Sequence, residues 1–112
     1  MNLFVYGTLM EDDVVAQLTG RRFRKDPAVL AGYRRVVPEG GFPFIVPQPD
    51  AVVEGFLLHE LDEGAVQLLD RYEDEGHLYR RTAVVVSAGG RRQSCMTYVG
   101  CAAALTRSAP AG

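Results

Sequence analysis

The chain has 112 residues, 47% of them hydrophobic, which is enough apolar side chain for one compact core and too little length for two. Its 12 Lys and Arg nearly balance 14 Asp and Glu, so no whole-molecule field exists to hold nucleic acid or an anionic membrane surface, and a small uncharged or zwitterionic partner fits better. Two cysteines, Cys95 and Cys101, are too few for a disulfide framework and have no second pair at zinc-ligand spacing; they read as reduced, structural thiols.

The opening residues Met1-Asn2-Leu3-Phe4-Val5-Tyr6 lack a basic start, and their apolar run breaks at Gly7, short of a signal-peptide core or a membrane span. The expectation is a cytoplasmic protein that begins with a buried strand and a tight Gly7-Thr8 loop. Asp12 and Asp13 ahead of Val14, Val15 and Leu18, with Gly20 after them, predict a short helix. The basic run Arg21-Arg22-Phe23-Arg24-Lys25 lacks the aromatic platforms of a nucleic-acid site and reads as a solvated strand edge or loop.

Ala28 to Val37 reads as a strand closed by Pro38, Gly40 and Gly41. Pro43, Pro47 and Pro49 bracket Phe44-Ile45-Val46, which predicts a constrained loop carrying at most a short edge strand. A further strand is expected over Val52 to Leu61, with a bulge or close approach at Gly55 and a carboxylate at Glu54. Asp62 can cap a helix in which Ala65, Leu68, Leu69 and Tyr72 recur at helical spacing, ending near Gly76. Leu78 to Ser87 and Gln93 to Val99 flank the turn Ala88-Gly89-Gly90-Arg91 as an antiparallel hairpin, and Cys101 to Gly112 reads as a frayed tail. These elements predict an α+β fold in a single domain over residues 1–100: a small curled mixed sheet or barrel of about six strands, with two short helices over its openings or one face.

Four residues past Leu69, Glu73 continues the apolar stripe of the second helix, while Asp74 continues the polar face of Gln67 and Asp70. An inward Glu73 would have its pKa raised by burial and by the helix C-terminal dipole, as suits general acid-base work near neutral pH. Periodicity alone favours the other reading, a helix-end Glu paired with Arg80 or Arg81. The Tyr6-Gly7-Thr8-Leu9 turn can either form an amide cradle for a carboxylate or oxyanion, or be an ordinary strand turn. Tyr79, Arg81 and Tyr98 on the hairpin either contact a substrate, bond to Glu73, or sit at the core edge. His59 and His77 lack triad partners and a third zinc ligand, so both read as structural or surface residues.

Taken in order, Phe4-Val5-Tyr6-Gly7-Thr8-Leu9, Phe42-Pro43-Phe44-Ile45-Val46, Val53-Glu54-Gly55, Leu69-Asp70-Arg71-Tyr72-Glu73 and Leu78-Tyr79-Arg80-Arg81 resemble the γ-glutamyl cyclotransferase-like family, particularly its small AIG2-like branch. The resemblance implies Glu73 as the catalytic acid-base and Tyr6, Gly7, Thr8 and Leu9 as the substrate cradle, with Tyr79 and Arg81 as further substrate contacts. It also implies a γ-glutamyl small molecule as partner, release of 5-oxoproline and an amine, and no metal or nucleotide cofactor. The acidic run Met10-Glu11-Asp12-Asp13 after the turn departs from the family pattern and suggests a rim favouring cationic leaving groups, such as an ε-lysyl amine. Two other readings of the same residues are a non-catalytic ligand-binding module and an amide hydrolase or acyltransferase using Glu73.

Overall fold

A computed structural model describes residues 1–101, so the tail expected from Cys101 onward lies, past that residue, outside the described residues. Five strands close into a barrel in the order β1-β3-β2-β4-β5, where β1 is Leu3–Val5, β2 Lys25–Val36, β3 Phe44–Leu58, β4 Tyr79–Ala88 and β5 Arg91–Gly100. Two α-helices, α1 over Asp12–Thr19 and α2 over Glu63–Glu73, complete an α+β fold. Among the described residues, no helix is long and apolar enough to cross a membrane.

Among the described residues the strand number is five where about six were expected, because Phe44 to Leu58 is one irregular strand. In its pairing with β2, Ala31 faces Val52 and Tyr33 faces Pro47, so residues 48–51 of β3 lie opposite the single residue Gly32. Gly32 and Asp50 both adopt positive φ, 85° and 67°, which turns the two chains around this irregularity. The prolines are tolerated because β1 pairs with β3 only at Phe56 to Leu58; the half of β3 carrying Pro47 and Pro49 has β2 on one side and no strand on the other. The hairpin of β4 and β5 turns through Gly89 and Gly90, with φ of 60° and 75°, the backbone that a two-residue connection requires.

β1 closes the barrel, antiparallel to β3 and parallel to β5, and is buried along its whole length. Its alternation divides the core. Phe4 and the following Tyr6 pack inside the barrel with Leu30, Ile45, Val53, Leu57 and Val86. Leu3 and Val5 face the other way, against Val15 of α1 and Ala65, Val66 and Leu69 of α2. Leu69 is fully buried, and such a side chain contributes about 2 kcal/mol by leaving water. The seam is tight. Gly55 has no side chain where the Val5 carbonyl and the Phe4 ring approach, which is the close contact expected at this position. Across the other seam, the fully buried Thr97 hydroxyl donates to the Phe4 carbonyl at 3.0 Å.

Candidate active site

The end of β1, the loop before β3, the end of α2 and the start of β4 meet around a cavity of about 120 Å³. Tyr6, Gly7, Thr8, Leu9, Phe42, Pro43, Tyr72, Glu73, Leu78, Tyr79 and Tyr98 contribute to its wall. After Tyr6 the chain makes a single 3-10 turn over Thr8–Met10, closed by Met10 N–H to the Gly7 carbonyl at 3.0 Å and Glu11 N–H to the Thr8 carbonyl at 3.1 Å. Such a turn leaves its leading amides, those of Thr8 and Leu9, without partners inside it. Gly7 has φ of −127°, so the turn does not call on the left-handed region, and an added Cβ would sit 3.8 Å from Pro43.

Helix α2 begins where the Asp62 side chain caps it, accepting from Ala65 N–H at 3.0 Å, and stops at Asp74, whose φ is 56°. Glu73 is its last residue, half-buried and on the cavity wall. Burial away from water pushes its carboxyl up to about 7, well above the ordinary carboxylate range. Among the described residues Glu73 forms no ion pair: Arg80 is exposed and Arg81 binds Asp70 instead. The alternative of a helix-end Glu neutralised by either arginine therefore does not describe this chain.

Three buried phenols surround that carboxyl. Tyr6 OH donates to the Tyr98 carbonyl, Tyr79 OH donates to the Pro43 carbonyl at 2.7 Å, and Tyr98 OH donates to Asp70 Oδ1 at 2.7 Å. Burial, followed by the neighbouring Glu73 charge, raises the pKa of Tyr6 and Tyr79; for Tyr98, burial and then the Asp70 hydrogen bond do the same. All three stay protonated with their protons committed to fixed acceptors, so the group left to exchange a proton at neutral pH is Glu73.

Asp70 corrects the helix-face reading. It was expected on the polar face, yet its carboxylate is only 24% exposed and takes Arg81 on Oδ2 at 2.6 Å as well as Tyr98 on Oδ1. The buried arc of α2 holds Ala65, Val66 and Leu69 and extends over Asp70 and Glu73, while Leu68 and Tyr72 are 39% and 44% exposed. Val66 was the available signal: centring the helical wheel on it instead of Leu68 brings Asp70 inward. Arg81, expected as a substrate contact, is absent from the cavity wall because Asp70 holds its guanidinium, and the Arg81 N–H is held by Glu75 at 3.2 Å.

The acidic rim is also corrected. Asp12 and Asp13 are turned to Lys25 at 3.2 Å and Arg22 at 2.8 Å, Glu11 is exposed and off the wall, and among the described residues Glu73 is the single carboxyl lining the cavity. The basic run that precedes β2 is thus the partner of α1, with Arg21 further bound to Asp62 at 2.7 Å. Glu54 is exposed on β3 and away from the cavity wall. His59 is buried and bonded to Asp26 at 2.7 Å across the β2–β3 pair, whereas His77 is exposed beside Asp74. Both cysteines are free, and burial pushes the Cys95 thiol up to about 11, as fits an unreactive core residue. Among the described residues, no three His, Cys, Asp or Glu side chains gather as a metal-ligand set.

Comparison with known proteins places this geometry among relatives. The chain is similar to AIG2-like protein C of Arabidopsis thaliana, 31% identical over 99 residues that cover 88% of this chain and 58% of that protein. AIG2-like protein D of Arabidopsis thaliana is 30% identical over 100 residues, covering 88% and 66% of the two chains. This chain therefore spans roughly half to two thirds of the length of the curated relatives it matches. A solution structure from Arabidopsis thaliana superposes with a TM-score of 0.81 at 26% identity, over 91% of this chain and 69% of the other. A structure of a γ-glutamyl cyclotransferase has a TM-score of 0.76 at 16% identity, over 90% and 66%, a likeness of fold. The family model described as "Gamma-glutamyl cyclotransferase, AIG2-like" matches residues 3–110, and the chain accordingly belongs to the AIG2-like γ-glutamyl cyclotransferase family.

Proposed function

We propose that this chain is a γ-glutamyl cyclotransferase that converts a γ-glutamyl amine or dipeptide into 5-oxoproline and the free amine, with Glu73 as its acid-base. The observation carrying this reading is the half-buried Glu73 carboxyl, without an ion pair among the described residues, on the wall of a small cavity shared with the Thr8–Met10 turn. Glu73 takes a proton from the substrate's α-ammonium, and the freed amine attacks the γ-carbonyl to form the new ring C–N bond. The tetrahedral oxyanion is held by the amides of Thr8 and Leu9, at about 3 kcal/mol for each well-aimed donor. Collapse breaks the bond to the departing nitrogen, which receives its proton from Glu73; the restored carboxylate then takes the second proton from the ring nitrogen, leaving the neutral lactam, and passes it to the freed amine, which departs as an ammonium. Both reacting groups belong to one molecule, so confinement in the attack geometry supplies several kcal/mol, up to ~7 or more. No metal or nucleotide takes part in these steps.

Among the described residues no Lys, Arg or His lines the cavity, and the Thr8 hydroxyl and Tyr72 phenol are neutral donors available to the α-carboxylate of the substrate. The test is a panel of γ-glutamyl compounds with mass-spectrometric detection of 5-oxoproline. Glu73→Gln is expected to lose about 10²- to 10⁴-fold in turnover while Glu54→Gln keeps it. Full activity in Glu73→Gln would remove the mechanism; an ordinary glutamate product would indicate an amide hydrolase, and tight binding without turnover a ligand-binding module.

A further inference from the structure

We propose that Phe42 and Tyr72 form a leaving-group subsite that selects apolar, and foremost aromatic, amines. The inference rests on the cyclotransferase reading of the cavity and adds the class of the departing group. Phe42 is 68% exposed and Tyr72 is 44% exposed, yet both contribute to the wall of the cavity that holds Glu73. Aromatic faces left open at the rim of a concave site are surfaces that a ligand covers.

The Tyr72 ring and the backbone beside Phe42 are each held by a bond that needs no substrate. Pro43, directly after Phe42, has its carbonyl fixed by Tyr79 OH at 2.7 Å, and Tyr72 OH lies 3.1 Å from Thr8 Oγ1, which ties it to the Gly7 turn. A tied ring beside a fixed stretch of backbone takes up a planar or branched side chain at a reduced ordering cost.

Chemistry divides the substrate between the two parts of the cavity. The glutamyl portion carries an ammonium, a carboxylate and the reacting carbonyl, and these need Glu73 and the amides of the turn. The rings are left for the remaining portion, the side chain of the departing amine. A charged side chain there would give up water with no counter-charge on the wall, because among the described residues Glu73 is the one carboxyl there and faces the substrate's own ammonium, while Glu11, Asp12 and Asp13 lie off the wall, the last two bound to Lys25 and Arg22.

The experiment compares kcat/KM of the full chain for γ-glutamyl-phenylalanine, γ-glutamyl-leucine, γ-glutamyl-alanine and γ-glutamyl-lysine linked through the lysine α-amine. Phenylalanine is expected to exceed alanine by roughly tenfold or more, with leucine between them, and lysine no better than alanine. Phe42→Ala should bring the phenylalanine-to-alanine ratio toward one, mainly through KM, and Tyr72→Phe, which unties the second ring from Thr8, should lower it by a smaller factor. Phe42 is largely exposed, so its truncation tests the subsite without emptying the core, and thermal unfolding checks that the variant is folded. Equal rates for phenylalanine and alanine, or a preference for lysine, overturn the subsite while any 5-oxoproline release preserves the cyclotransferase reading. Absence of 5-oxoproline from every compound removes both.

Discussion

Asp70 with Arg81, and Asp13 with Arg22, are the same carboxylate-guanidinium pair in two surroundings. On the cavity side of α2, the first pair is 24% and 27% exposed, and Asp70 spends its second oxygen on the Tyr98 phenol. On the outer side of α1, the second pair is 87% and 62% exposed and stands in water. Screening makes the outer pair nearly neutral for stability, whereas removal of either inner partner leaves a poorly solvated group behind. Proximity in sequence to a catalytic motif says little about which acids matter; what each carboxylate is closed in with says more.

The sharpest way to break that contrast is Asp70→Ala, which strips the acceptor from both Arg81 and Tyr98. A loss of about 2 to 3 kcal/mol in chemical denaturation is expected, reduced from the fully buried case because water still reaches the pair. A loss under ~0.5 kcal/mol would class Asp70 with the surface acids. Glu73→Gln sharpens the contrast with the opposite sign. Its carboxyl is at about 7 in the folded chain against an ordinary 4.5, so the folded form binds more protons between those values and stability falls as pH rises through that window. Gln cannot ionise. The variant should match wild type at pH 4 and exceed it by ~2 kcal/mol above pH 8, and a pH-independent difference would show that the charge is not the cause. In the same range, kcat/KM of the wild type should climb to a plateau above about 7 as Glu73 becomes able to accept a proton.

Tyr79→Phe removes one hydrogen bond, that to the Pro43 carbonyl, and should cost ~1 kcal/mol together with a raised KM as Phe42 loses its anchor. An unchanged thermal midpoint and KM would show that the loop holds itself. Least affected is Asp13→Asn, for which a change under ~0.5 kcal/mol is expected, shrinking further in high salt. A larger loss would mean that the outer pair stabilises the fold as the inner one does.

How far the sequence carried the site depended on whether the deciding signal was local. The cap at Asp62, the apolar period leading to Glu73, the Gly89-Gly90 turn and the crowded position at Gly55 are each governed by a few neighbouring residues, and all were legible. The run through Pro47 and Pro49 was not, because a proline's cost in a strand depends on whether a neighbour lies on its N–H side, and that is decided by how short β1 is. Arg81 and the acids of α1 were misplaced for a related reason. Their partners, Asp70, Lys25 and Arg22, are brought to them by the closure of the barrel and the docking of helices, and no spacing in the chain announces those pairings. His59 with Asp26 belongs to the same group, a pair made by the register of two strands.

Gly55 carries a consequence well beyond its own strand. β1 rests against it, and the Gly7 turn hangs from the end of β1, so even a methyl group at position 55 would lever the turn away from Glu73. Under the proposed function, an inherited change there would read as a lost activity, although no reacting atom had been touched.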